Sequence, residues 1–553
     1  MLALALMPGC YSGLGTGPDG APAAEDEADG ADGDGSGGGD DDDDADDGGT
    51  DVPEPACGHD SVAPARIWRL SDSQHANAIR DLLGLQAVTE VKTPGTAEDS
   101  FVNESELLTV TGPMASQYEA AASDAAASAL ESIGSLVPCD PASGDEACAR
   151  EFIDAFVPRA YRRPIDDEER EAFVSLYHHG AEEDFATGIG TVIEATLQAP
   201  SFLYRTEIGA DDAVGPTVML DAYELASAIG FLLLDSVPDD ELWARAEDGT
   251  ITDPEVLEAE VERLLATPRV QDNLVRIFAV WLGTPKAAGM SKAAEMFPEF
   301  ELALAEDMAR EAEEFLRHLL PTATVADLLT SRTTFVNERL ASVYGIDAVT
   351  GEGFVQVELP AQERSGILTQ PAMMSILAAP EETSVVHRGL LVQKLLLCTE
   401  LPAPPAGVDL DDPDFEGMSQ RELAELRASE EACRACHSVI DPLGLTFEHY
   451  DAIGRYRTDI DGAPVDASAE VAGIGAVNDA VELMNVLVDD PRVSACVSRN
   501  LVTYALGRRL GATDACELEN IQAQVDAADG SLIEPIRAVA LSEALRLRKR
   551  EEQ

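Results

Sequence analysis

Basic residues are scarce in this chain, and there are none before Arg66. Of 553 residues, 37 are Lys or Arg and 104 are Asp or Glu, giving a formal net charge of −67. A field of that sign repels nucleic acid and anionic lipid surfaces, so neither is an expected partner. It suits basic partners, cations or a saline medium. Long apolar runs are missing too. No window reaches the 18 or more apolar residues of a spanning helix. His is rare, at eight residues, which leaves few members for a catalytic triad. No Gly-rich phosphate loop, G-x-S-x-G elbow or H-E-x-x-H is present. Period-two alternation of β-branched residues is scarce, which argues against extensive sheet.

What stands out instead is Cys433-Arg434-Ala435-Cys436-His437, a C-x-x-C-H. It is the attachment signature of c-type haem: two thiols add to the haem vinyl groups, and the adjacent imidazole reaches the iron. With nine Cys and eight His in the chain, roughly 0.002 such matches are expected by chance. The competing readings are a redox dithiol, a structural disulfide, or half of a zinc site. Zinc would want a second Cys/His pair, and no other C-x-x-C exists. The expected set is therefore Cys433 and Cys436 for covalent haem c, with His437 on the metal. Asp441-Pro442 follows closely, and a backbone carbonyl there is expected to accept the His437 Nδ1 proton. Met373, Met374, His387, His449 and Met484 are candidates for the sixth ligand. A Met or His there makes an electron carrier, and an open position allows small-molecule chemistry. Each is individually better read as a core or surface residue. Asp441, Glu448, Asp451 and Arg455 read as an ion-pair network under the haem rather than a catalytic carboxylate cluster. Arg162 and Arg163 are expected to pair with buried carboxylates, a substrate carboxylate being the sharper alternative.

Covalent haem attachment belongs to the export side of a membrane, and the N-terminus is read in that light. Met1 to Leu6 are apolar, and Met7-Pro8-Gly9-Cys10 resembles a lipobox, although the basic n-region of a signal peptide is missing. Residues 1–20 are thus expected to be a lipoprotein signal region anchoring the protein to the cell envelope through Cys10. Residues 21–64, with Asp40 to Asp44, are too acidic and too poor in apolar side chains to fold. Setting aside Cys10 and the C-x-x-C pair leaves six cysteines, an even number that suggests up to three disulfides. Cys139–Cys148 is the leading pair, Cys496–Cys516 the second, and Cys57–Cys398 is left by elimination.

The body reads as mainly α, in several consecutive helical domains: 65–137, 138–210, 215–347, 360–465 (the cytochrome c-like segment) and 475–549. Ser71 or Asp72 caps a helix closed by Gly84, and Arg162-Arg163-Pro164 ends another. Asn337 to Tyr344 stops at Gly345. A charged helix from Gln420 to Ala432 delivers the chain to Cys433.

Arg69-Leu70-Ser71, Asp81-Leu82-Leu83-Gly84, Arg159-Ala160-Tyr161-Arg162-Arg163-Pro164 and Ser201-Phe202-Leu203-Tyr204-Arg205 occur in that order. Gly366-Ile367-Leu368, the Cys398 proline-rich turn, Ile440-Asp441-Pro442-Leu443-Gly444, Phe447-Glu448, Asp451-Ala452-Ile453-Gly454-Arg455 and Tyr504-Ala505-Leu506-Gly507-Arg508 follow. This series, over about residues 65 to 548, resembles the large secreted proteins built from consecutive domains of unknown function around a planctomycete-type cytochrome C segment. The resemblance implies the domain architecture and a haem, and no reaction. His449 and Met484 match no fixed family position and are not carried over as ligands. The expected function is an exported, lipid-anchored monohaem c-type cytochrome-like protein passing electrons to an unidentified redox partner. The alternatives are a haem-dependent oxidoreductase with an open iron site and a disulfide-stapled surface binding protein.

Overall fold

The computed structural model describes residues 56–93, 101, 103–209, 215–399, 401 and 418–550. The signal-like region with Cys10 and residues 21–55 of the expected linker lie outside them, whereas residues 56–64, expected to belong to that linker, are folded into the body by the Cys57–Cys516 bond, the His59–Ser61 turn and the buried Val62 and Ala63. The body is mainly α, with short strands only. No described helix is long and apolar enough to cross a membrane.

Local signals set many helix boundaries. Ser71 accepts from the Gln74 amide and Gln74 reaches back in a capping box, while Gly84 takes a left-handed φ of 65° after the helix Asp72–Leu83. Asn337 caps Glu338–Tyr344, which Gly345 closes in the same way. Arg162 ends Glu146–Tyr161 with a φ of 56°. Among the described residues it pairs with no carboxylate. Fully buried, it donates instead to the carbonyls of Ala160, Ser201, Phe202 and Tyr204 at 2.7–3.2 Å. Arg163 pairs with Glu169, a carboxylate that is partly exposed and not buried as expected.

Among the described residues the helices build two large hydrophobic cores and two small clusters. One gathers residues from Leu70 to Leu203, so the segments 65–137 and 138–210 share it. The other runs from Leu220 to Leu545 and is common to the three later segments. Phe231 and Val237 belong to the first core although their chain neighbours Leu233 and Leu234 belong to the second. A buried polar junction sits beside them. Asp235 accepts from Asn77 at 3.0 Å and pairs with Arg276 at 3.0 Å, and Arg276 donates to the Tyr504 hydroxyl at 2.8 Å.

Among the described residues there are five two-stranded antiparallel sheets, and two of them bring distant segments together. Arg66–Arg69 pairs with Tyr204–Glu207, and Leu547–Lys549 with Thr217–Met219. Glu207, 2% exposed, lies where these meet. It accepts from Arg66 at 2.8 Å, from Trp68 at 3.2 Å and from Arg548. Arg205 lies 3.4 Å away and 3.7 Å from the centre of the Trp68 ring. Burial alone would push the Glu207 carboxyl up, but the charges of Arg548, Arg66 and Arg205 outweigh it and hold the group well below the usual range.

The disulfides partly correct the sequence pairing. Cys139–Cys148 forms as expected. The other four cysteines exchange partners, giving Cys57–Cys516 and Cys398–Cys496. Both join segments far apart in sequence, which spacing along the chain does not reveal. Cys57–Cys516 works with backbone bonds from Lys549 to Ala63 and from Ala65 to Lys549 to fasten the start of the described body to its end.

Candidate haem-attachment site

The helix expected to reach Ala432 stops earlier. Gln420–Ser429 is opened by a capping box at Ser419, and a turn from Glu430 leads to Cys433. Cys433 then starts the helix Arg434–Leu445. The amides of Cys436 and His437 both donate to the Cys433 carbonyl, at 3.2 and 3.0 Å, so all three site residues share one turn. Both cysteines are half-buried and neither is disulfide-bonded. The six other described cysteines are all paired.

His437 and Asp441 are one helical turn apart, and their side chains meet: Nδ1 to Oδ1 is 3.0 Å. The partner of the imidazole is thus the Asp441 side chain, where a backbone carbonyl was expected. At four-residue spacing on a helix the two side chains share a face, a signal the sequence carried. Arg427 Nε donates to the other carboxylate oxygen at 2.9 Å. Arg427 donates to Asp441 from the other side, so the carboxylate is placed to accept from Nδ1, and Nε2 is left outside this contact.

A neighbouring helix fixes this one. Val385–Leu391 packs against Arg434–Leu445 through glycines at two contact points. A Cβ on Gly389 would lie 2.0 Å from the Ile440 carbonyl oxygen, and one on Gly444 would lie 1.8 Å from that of Val385. Arg388, between them in function, is fully buried and donates to the carbonyls of Phe447, Tyr450 and Asp451 at 2.8–3.0 Å. Burial pulls its guanidinium down to about 10, against the opposing charge of Glu448. It pins the loop after the helix Arg434–Leu445. Nothing in the letters distinguished Gly389 and Gly444 from turn glycines, so sequence reasoning missed their role.

The carboxylates near the motif are ion-paired. Glu448 meets Arg388 and Arg457, Asp451 accepts from the Ile453 and Arg455 amides, and Arg455 pairs with Glu299. Among them, Asp441 is the one in contact with His437. Of the ligand candidates, Met373, Met374 and Met484 are completely buried in the large core. The His449 ring bonds the Arg457 carbonyl at 2.9 Å and stacks on Tyr456. His387 is exposed on the packing helix. Among the described residues, no three His, Cys, Asp or Glu side chains are grouped to hold a metal ion by themselves.

A separate cleft of about 600 Å³ lies beside Phe156, Leu234 and Pro238. Its charges are already matched, Arg269 to Asp81 and Arg159 to Asp240.

Five family models match consecutive stretches of the chain, each described as a protein of unknown function: DUF1587 at 68–131, DUF1595 at 148–207, DUF1592 at 220–346, DUF1588 at 364–460 and DUF1585 at 475–545. The chain is a multidomain protein assembled from domains of unknown function, and Cys433, Cys436 and His437 fall in the DUF1588 stretch. No curated protein and no solved structure matches it.

Proposed function

We propose that this chain is an exported monohaem c-type cytochrome-like protein that carries electrons within a multidomain helical scaffold. One observation carries the reading. In a chain whose other described cysteines are all in disulfides, Cys433 and Cys436 stay out of them, on a single helical turn with His437. The residues fit the cofactor: two half-buried cysteines outside the disulfides for the vinyl groups, and an imidazole whose Nδ1 is occupied so that Nε2 remains for iron. Cys433 and Cys436 would hold the macrocycle and His437 the metal. The bound group would supply a one-electron couple set by its ligands and surroundings. A C-x-x-C that stays outside the disulfides weighs against a purely disulfide-stapled surface protein. Lipid anchoring through Cys10 completes the proposal, with the acidic segment as spacer and a basic protein as redox partner.

The test is a pyridine haemochrome spectrum on protein exported from a host with c-type maturation, beside Cys436→Ala. About one covalent haem per chain, lost or reduced to a single thioether in the variant, is expected. A wild-type chain without haem ends the reading. A second reading, a haem-dependent oxidoreductase with an open iron position, is favoured by the packing of Met373, Met374 and Met484 into the core. Rapid carbon monoxide binding by the ferrous protein separates it from a six-coordinate carrier.

A further inference from the structure

We propose that Asp441 is a positioning residue for the haem iron, holding the ring of His437 and giving that imidazole anionic character. The inference rests on the haem reading above. Three features of the site lead to it. The Nδ1–Oδ1 distance is 3.0 Å between residues four apart on one helix, so the geometry belongs to the backbone and not to a mobile loop. The Asp441 side chain is 2% exposed while that of His437 is 21% exposed, so the acceptor is shielded from water and the ring edge is not. Arg427, reaching in from the preceding helix Gln420–Ser429, takes the second carboxylate oxygen at 2.9 Å and keeps the carboxylate from rotating away.

A carboxylate accepts a proton-bearing nitrogen more strongly than a peptide carbonyl does, because the hydrogen bond is charge-assisted. Such a bond fixes the tautomer and raises the basicity of the nitrogen left for the metal. A more basic ligand favours ferric over ferrous iron and lowers the reduction potential. Asp441 therefore moves this site towards a low potential and a strong iron–imidazole bond. A peptide carbonyl in its place would do neither to the same degree.

The test uses the full chain exported with c-type maturation, as wild type, Asp441→Asn and Asp441→Glu. Haem content is measured first, by pyridine haemochrome. Midpoint potential follows by spectroelectrochemistry, and the iron–imidazole stretch by resonance Raman on the ferrous protein. Asp441→Asn is expected to keep covalent haem, since the thioethers belong to Cys433 and Cys436. Its potential is expected to shift up and its stretch to shift down, and Asp441→Glu should fall between it and wild type. Wild-type potential and stretch in a fully haem-loaded Asp441→Asn overturn the role of Asp441 and leave the haem reading standing. If the Asn variant does not mature, an Asp441→Glu variant with both readouts unmoved overturns it equally. A wild-type chain with no covalent haem overturns the haem reading, and this inference with it.

Discussion

Replacing Gly444 by alanine sets two effects of opposite sign against each other. Alanine is the better helix former by about 1 kcal/mol, so propensity alone would stabilise Arg434–Leu445. The added methyl, however, would lie 1.8 Å from the Val385 carbonyl oxygen. A carbon and a carbonyl oxygen rest at about 3.3 Å, so the two helices must part by about 1.5 Å. The obstructing atom is backbone and cannot turn aside as a side chain could. Overpacking of this kind costs about 3 kcal/mol at the upper end of its usual range. The net expectation is a destabilisation of about 2 kcal/mol, or about 30-fold in the local opening equilibrium. Native-state hydrogen exchange at the amides of 434–445 reads this directly. Gly389→Ala, blocked 2.0 Å away by the Ile440 oxygen, should behave alike, and Gly353→Ala, with nothing within 4 Å, should leave those amides unchanged. If Gly444→Ala slows exchange by the roughly fivefold that propensity alone predicts, the close-packed crossing is refuted.

Two further expectations concern the first core and its clasp. His75 is buried between Tyr118 and Phe202, and burial first, then the Arg69 charge, lowers it to about 4, with Asp72 opposing. The unfolded chain therefore takes up this proton first as pH falls through 6.5, and stability is lost between there and about 4, by about 3 kcal/mol in total. Urea unfolding of wild type against His75→Phe, which keeps an aromatic ring but cannot titrate, should show the wild type losing ground over that window; parallel pH profiles would rule out the assignment. Glu207→Gln removes the anion shared by Arg66, Arg205 and Arg548, and should cost about 3–5 kcal/mol by leaving buried cations uncompensated. Protease susceptibility of the Leu547–Lys549 strand should rise steeply, and an unchanged cleavage rate would count against Glu207 as the organising charge.

The parts legible in the sequence are those governed by neighbouring residues. Ser71 and Gly84 bracket a helix because a cap and a left-handed turn act within four residues, and Cys433, Cys436 and His437 share a turn because three-residue spacing requires it. What escaped notice depends on distant chain. Arg66–Arg69 and Tyr204–Glu207 are four-residue strands whose partners lie 141 residues apart at Arg66–Glu207, so no local alternation marks them. Elimination pairs Cys57 with Cys398, and the fold gives each a different partner. At the candidate site, the carboxylate of Asp441 was visible in its spacing from His437, but Arg427, which completes the arrangement, comes from another helix.

The fastening of the two ends has a mechanical consequence. Cys57 is bonded to Cys516 across 459 residues, and Lys549 is stitched to Ala63 and Ala65. Tension applied through the chain before Cys57 and the chain after Lys549 meets this covalent and hydrogen-bonded knot first. The first core and the Cys433–His437 turn lie inside the covalent loop, and the part of the second core that follows Cys516, from Ile521 to Leu545, is held by the hydrogen-bonded strand at Lys549. A body held this way can hang from a tether, or be dragged by flow, while the geometry around His437 stays unloaded.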